Sequence, residues 1–162
     1  MLTDIGEYFV GAYLQLKLDC DVVDYNVRPP GGGLEGLEEM DVIGLDLKSH
    51  RAYLCEVTTH IRGLQYVDNR TTVERIVKKH GRQKRYGVKF LKNFQCQYMF
   101  WSPVVPVGFI TESLSQLPDL ELVVNGDYKR RIDELRVLAR ETTHDARNPV
   151  FRVLQILEHM RG

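Results

Sequence analysis

Apolar residues in this chain recur every three or four positions in some stretches and alternate or cluster in others, so helices and strands can be told apart along it. Ile5, Phe9, Ala12, Tyr13 and Leu16 keep helical spacing, which predicts a first helix capped by Thr3 and ending near Leu16 or Lys17. Val10 and Leu14 widen its apolar stripe, so cover on more than one side is expected. Residues 21–28 (DVVDYNVR) predict a strand, stopped by Pro29-Pro30 and the loop-forming Gly31 to Gly33. Two further strands are predicted over 41–46 and 51–60. Thr71-Thr72-Val73-Glu74 has the form of a capping box opening a helix, with Val73, Ile76, Val77 and His80 on one face.

The segment 95–106 contains another strand bounded by prolines, and a short amphipathic piece over 111–117 leads to a strand at 120–124. Two helices close the chain. The first, over 128–142, presents Ile132, Leu135, Leu138 and Ala139. The second takes Asn148 as cap and Pro149 at its first position, and is expected to bury Val150, Val153, Leu154 and Leu157. The order αβββαβ(α)βαα predicts one α/β domain over residues 1–162, with a mixed sheet, a core over about 1–106 and two added C-terminal helices.

Net charge is zero, with 22 basic and 22 acidic residues, yet the charges are unevenly spread. Residues 1–69 carry 12 acids and 5 bases, residues 70–92 carry 1 and 9, and residues 93–162 carry 9 and 8. A one-sided basic helix in a neutral chain points to phosphate contact, and the candidates are Arg75, Lys78, Lys79, Arg82, Lys84, Arg85 and Lys89. A solvated helix face is the ordinary alternative. Cys20, Cys55 and Cys96 are widely spaced with no CxxC pair, so neither a zinc site nor a disulfide framework is signalled. No apolar run is long enough to span a bilayer and the N-terminus lacks a secretory pattern, so a cytoplasmic protein with no membrane partner is expected.

Glu56 interrupts the strand Leu54-Cys55-Glu56-Val57-Thr58-Thr59, where a carboxylate removed from water costs several kcal/mol unless it has a partner. If the hairpin is even, pairing Asp46 with Arg51, Leu45 with Ala52 and Ile43 with Leu54, then Asp41 faces Glu56 on an otherwise apolar side of the sheet. Opposed like charges need a shared proton or a captured cation, and Mg²⁺ (or Mn²⁺) is commonly held by one or two carboxylates with water and phosphate oxygens. Thr58 and His60 alternate onto the same side, and Glu7 on the first helix can reach that corner if the helix covers the sheet. Each acid has a plainer alternative: Glu7 favoured by the helix dipole, Asp41 ending a loop, Glu56 paired with an arginine.

The stretches GEYFVGAYL (6–14), Asp41-Val42-Ile43-Gly44 and Glu56-Val57-Thr58 resemble the PD-(D/E)xK, restriction-endonuclease-like superfamily, in particular its Holliday-junction-resolvase-like branch. The resemblance covers about the first 100 residues and implies an αβββαβ core that binds Mg²⁺ and hydrolyses DNA phosphodiesters. It implies Glu7 as the helix acid, Asp41 and Glu56 as metal ligands, and Thr58 at the place of the motif lysine. Met40 replaces the proline of the PD pair. Threonine lacks the ammonium that orients water and neutralises phosphate charge, so Lys78 or Lys79 is expected to supply it from the following helix. The alternative is a domain that keeps the fold and binds nucleic acid or a protein without cutting. Tyr98, Phe100 and Trp101 are expected as core or edge aromatics, with a base-stacking platform as the alternative. A homodimer through the C-terminal helices is expected if Phe151 and Leu157 share an exposed patch.

Overall fold

The computed structural model describes residues 2–29 and 39–161, and the glycine run at 31–33 lies outside them. The described elements are α1 (Ile5–Lys17), β1 (Val22–Val27), β2 (Met40–Asp46), β3 (Arg51–Val57), α2 (Asn69–Phe90), β4 (Gln95–Ser102), α3 (Phe109–Ser115), β5 (Leu120–Val124), α4 (Gly126–Glu141) and α5 (Pro149–His159). The five strands lie side by side in chain order. β1, β2 and β3 pair antiparallel, whereas β3, β4 and β5 pair parallel, as the α2 and α3 crossovers between them require. The expected α/β domain with a mixed sheet and two C-terminal helices is therefore what the chain forms.

Strand alternation sends side chains to two cores. Val42, Tyr53, Cys55, Met99, Trp101 and Val123 pack under α1, α4 and α5. On the opposite face Ile43, Ala52 and Leu54 pack with Tyr86 of α2, while Phe100 and Leu120 join Ile76 of α2 and Ile110 and Leu114 of α3. Phe100 and Trp101 are core residues, as expected. Two glycines set how closely α1 approaches the sheet. A Cβ at Gly44 would lie 2.8 Å from Cys20 Sγ and 2.9 Å from Leu14 Cδ1, and one at Gly11 would collide with the Tyr25 ring.

Several boundaries and faces differ from expectation, each for a local reason. Asp4, not Thr3, caps α1: its carboxylate accepts the Gly6 N–H at 2.8 Å, and Glu7 Oε2 accepts the Asp4 N–H at 2.9 Å. Asp68, not Thr71, caps α2, because its carboxylate accepts the Thr71 N–H at 2.7 Å, while Glu74 turns to Arg70. β3 stops at Val57, so His60 lies beyond it in the turn to α2. At the hairpin the predicted register holds, but the Asp46 carboxylate accepts from the Ser49 hydroxyl and the Lys48 and Ser49 backbone N–H groups instead of forming a direct pair with Arg51.

On α1, Ile5 is exposed, whereas Val10, Ala12 and Leu14 are fully buried and Tyr13 is buried as expected. On α2, Val77 is exposed too. α5 meets α1 and α4 through Val150, Phe151, Leu154, Gln155 and Glu158, which rotates Val153 and Leu157 outward. Phe151 is buried while Leu157 is exposed, so the two share no patch of the kind a dimer was expected to use.

Candidate active site

The hairpin pairs Val42 with Cys55 and Ile43 with Leu54, and one further step of this register brings Asp41 opposite Glu56. Both belong to the face covered by α2. Glu56 is only 3 % exposed, and its Oε1 is buried without a hydrogen-bond partner. Burial, and then the Asp41 charge, push the Glu56 carboxyl well above the ordinary carboxylate range. Asp41 Oδ2 accepts the Val57 N–H at 2.8 Å, which fixes its carboxylate beside β3. The paired acids are close enough that one proton held between them raises the Glu56 carboxyl further.

α2 supplies the counter-charge. Lys79 Nζ lies 3.6 Å from Glu56 Oε2. Burial alone would lower the Lys79 ammonium's pKa, but Glu56 and Asp41 outweigh it, so the net shift is upward and the amine stays charged. The side chain reaching Glu56 is therefore a lysine, and the Arg82 guanidinium adds a favourable field from one turn further along. Lys78 lies next in sequence but on the exposed side of the helix.

Glu7 stands at the first turn of α1, only 8 % exposed. Its carboxyl is pushed up to about 7, by burial first and also by the Asp41 charge, against the Asp4 N–H and an Asn26 hydrogen bond that favour ionisation. The capping role and the shared corner thus belong to one residue. Thr58 is buried at the end of β3, where its N–H donates to the Trp101 carbonyl at 3.0 Å.

The other predicted basic residues divide by what they touch. Arg75 lies over the Tyr66 ring, 4.4 Å from its centroid, and that ring meets the edge of His60. Lys84 bonds Asp119 at 2.7 Å, the carboxylate that His80 Nε2 also meets. Arg82, Arg85 and Lys89 continue along α2.

Sequence reasoning missed three contributors. Asn26 is a polar residue at positive φ inside β1, and that polar interruption of an apolar strand was its signal. Tyr66, whose ring lies under Arg75 and against His60, had no signal, since its loop has no periodicity. Gln83 is fully buried: its amide donates to the Leu54 and Met99 carbonyls at 3.0 and 2.9 Å, and its oxygen meets His80 Nδ1. It anchors α2 over β3 and β4 one turn beyond Lys79.

Among the described residues no three or more His, Cys, Asp or Glu side chains gather as a metal cage. The orphaned Glu56 Oε1 and the opposed Asp41 nevertheless suit a hard cation that takes most of its ligands from water and phosphate. Among the described residues no helix is long and apolar enough to cross a membrane.

No protein-family model matches the chain, and no curated protein matches it. A crystal structure described as a protein of unknown function, AF1548, aligns at 16% identity with a TM-score of 0.40, over 72% of this chain and 56% of its own. The chain thus spans little more than half the length of that structure.

Proposed function

We propose that the protein is a metal-dependent deoxyribonuclease whose centre is Asp41, Glu56, Lys79 and Glu7. The observation that carries this reading is the Lys79 amine, 3.6 Å from a buried carboxylate that itself opposes Asp41. It supplies from a helix the positive charge that Thr58 lacks. Asp41 and Glu56 would hold Mg²⁺ or Mn²⁺, which when bound lowers the pKa of water and draws charge from a phosphate oxygen.

This chain's own residues do the rest. Lys79 sets the electrostatic field at the scissile phosphate and offsets the charge that grows on it as the new phosphorus–oxygen bond forms. Glu7, with its carboxyl at about 7, is balanced to accept the attacking water's proton near neutral pH. The Asp4 N–H donates to its Oε2 at 2.9 Å and holds the carboxylate in place. The departing alkoxide leaves with the bonding pair and takes a proton from solvent. Buried Thr58 and the Val57 N–H hold the end of β3, and so the Asp41 carboxylate, in place.

Supercoiled plasmid incubated with Mg²⁺ or Mn²⁺ tests the reading. Wild-type protein is expected to nick it, and Glu56→Gln and Lys79→Met to lose that activity. No nicking at high protein, or nicking unaffected by Glu56→Gln, refutes it. The engagement of Asp41 Oδ2 by the Val57 N–H favours a second reading, a nucleic-acid-binding module without cleavage. That module binds DNA in a salt-dependent manner equally well with and without divalent metal.

A further inference from the structure

One residue of β1 departs from the backbone of its neighbours. Asn26 has φ of 53°, in the left-handed region that strains side chains with a Cβ and that asparagine tolerates better than most. No residue is inserted there: Tyr25 pairs with Val42 and Val27 with Met40, so the ladder keeps step on both sides. The same register puts Asn26 opposite Asp41, as Asp41 is opposite Glu56 on the next strand. What the left-handed backbone does is turn the strand end. Val23 and Tyr25 before it pack with the core under α1, and Val27 after it packs with the core on the α2 side.

Glycine would make that turn at no steric cost. What glycine lacks is the amide, which donates to the Glu7 carboxylate on α1. Strained positions gather where a side chain has a task beyond the fold, and the task here follows from how Glu7 is held. The Asp4 N–H that bonds Glu7 Oε2 at 2.9 Å belongs to the same end of α1, so it orients the carboxylate on its helix and not toward the sheet. Asn26 ties it to the strand beside Asp41. The platform is firm, because the Tyr25 ring stands 5.1 Å from that of Tyr8 and fills the space over Gly11. A proton acceptor has to lie within about 3 Å of the proton's donor, and a misplacement of about 1 Å costs about 100-fold in rate.

We infer that Asn26 is a positioning residue of the proposed centre: its backbone turns the amide onto Glu7, and the amide aims the Glu7 carboxylate at the corner shared with Asp41 and Glu56, where a water attacking a DNA phosphodiester gives up its proton. The inference rests on the proposed nuclease reading for the reaction, and on the geometry of β1 alone for the contact.

Asn26→Gly keeps the turn and removes the amide, so it separates the two roles; circular dichroism confirms that the variants fold. With Mg²⁺, Asn26→Gly should lower the kcat of plasmid nicking about 100-fold and leave KM unchanged. Asn26→Asp, which keeps the shape but presents an acid to an acid, should lose as much. Glu7→Gln/Asn26→Gly should nick no more slowly than Glu7→Gln alone, since residues that act as one unit are not additive. A second readout needs neither metal nor DNA. In protein carrying ¹⁵N on asparagine side chains, the Asn26 amide pair is identified by its absence from Asn26→Gly. Glu7→Gln should move that pair, and Glu74→Gln, which alters an acid paired with Arg70 on the exposed side of α2, should not.

An amide pair that stays in place in Glu7→Gln overturns the inference, as do wild-type nicking by Asn26→Gly and losses that multiply in the double variant. Each of these leaves the nuclease reading standing. Wild-type protein that does not nick removes that reading and the positioning role with it, wherever the amide resonates.

Discussion

Replacing Glu7 by glutamine tests whether a buried acid sits at the site's corner. In the folded protein this carboxyl titrates at about 7 instead of 4.5, whereas the unfolded chain releases the proton at the ordinary value. Between those limits the native state binds the extra proton, so stability falls as pH rises. The contribution is fully present below pH 4.5 and lost by pH 7 to 8. At about 1.36 kcal/mol per pH unit the interval sets a ceiling near 3.4 kcal/mol. Solvent reaching the first turn of α1 reduces this to about 2 kcal/mol. Glutamine keeps the oxygen that accepts the Asp4 N–H but carries no charge. Glu7→Gln should therefore match wild type at pH 4.5 and exceed it by about 2 kcal/mol at pH 8. Urea unfolding followed by the fluorescence of Trp101, the only tryptophan and fully buried, measures both proteins across that range. Asp119 and Glu158, whose carboxyls are held down to about 2, lose their stabilisation at lower pH and cancel in the difference. Parallel curves for the two proteins would refute the burial of Glu7 beside Asp41.

Three further experiments probe the same corner and the helix that covers it. Mg²⁺ at 100 times its dissociation constant should stabilise wild-type protein by about 2.7 kcal/mol in differential scanning fluorimetry, and Glu56→Gln should abolish that gain; an equal gain in both removes the metal site. Lys79→Met should lower plasmid nicking about 100-fold, the scale of losing one charge-stabilising donor, while Lys78→Met leaves it unchanged; equal losses would mean that position on the helix is irrelevant. Gln83→Met keeps the volume but removes the amide that donates to the Leu54 and Met99 carbonyls and the oxygen that meets His80 Nδ1, and should cost about 2 kcal/mol or more in urea unfolding. A neutral result there would mean that α2 is held over the sheet by its apolar contacts alone.

The hairpin register was legible because its apolar pattern forbids the alternative: a one-residue slip would carry Ile43 and Leu54 to the other face of the sheet and move Asp41 and Glu56 with them. Helix caps were less legible, since Thr3 and Asp4, or Asp68 and Thr71, are all good capping residues and the choice falls to which carboxylate reaches a free N–H. The face of α5 was misread because Val153 and Leu157 fit the same apolar period as Val150 and Leu154, and only the placement of α1 and α4 decides which edge of that stripe is covered. Glu7 needed the depth of α1 over the sheet, which depends on what Gly11 and Gly44 leave empty. The same limit applies to the choice between Lys78 and Lys79. Lys78 and Lys79 are equivalent as composition, yet one residue on a helix is a rotation of about 100°. Gln83, bonded to β3 and β4 four positions beyond Lys79, fixes that rotation, so the residue that decides which lysine meets Glu56 is an uncharged amide that touches neither acid.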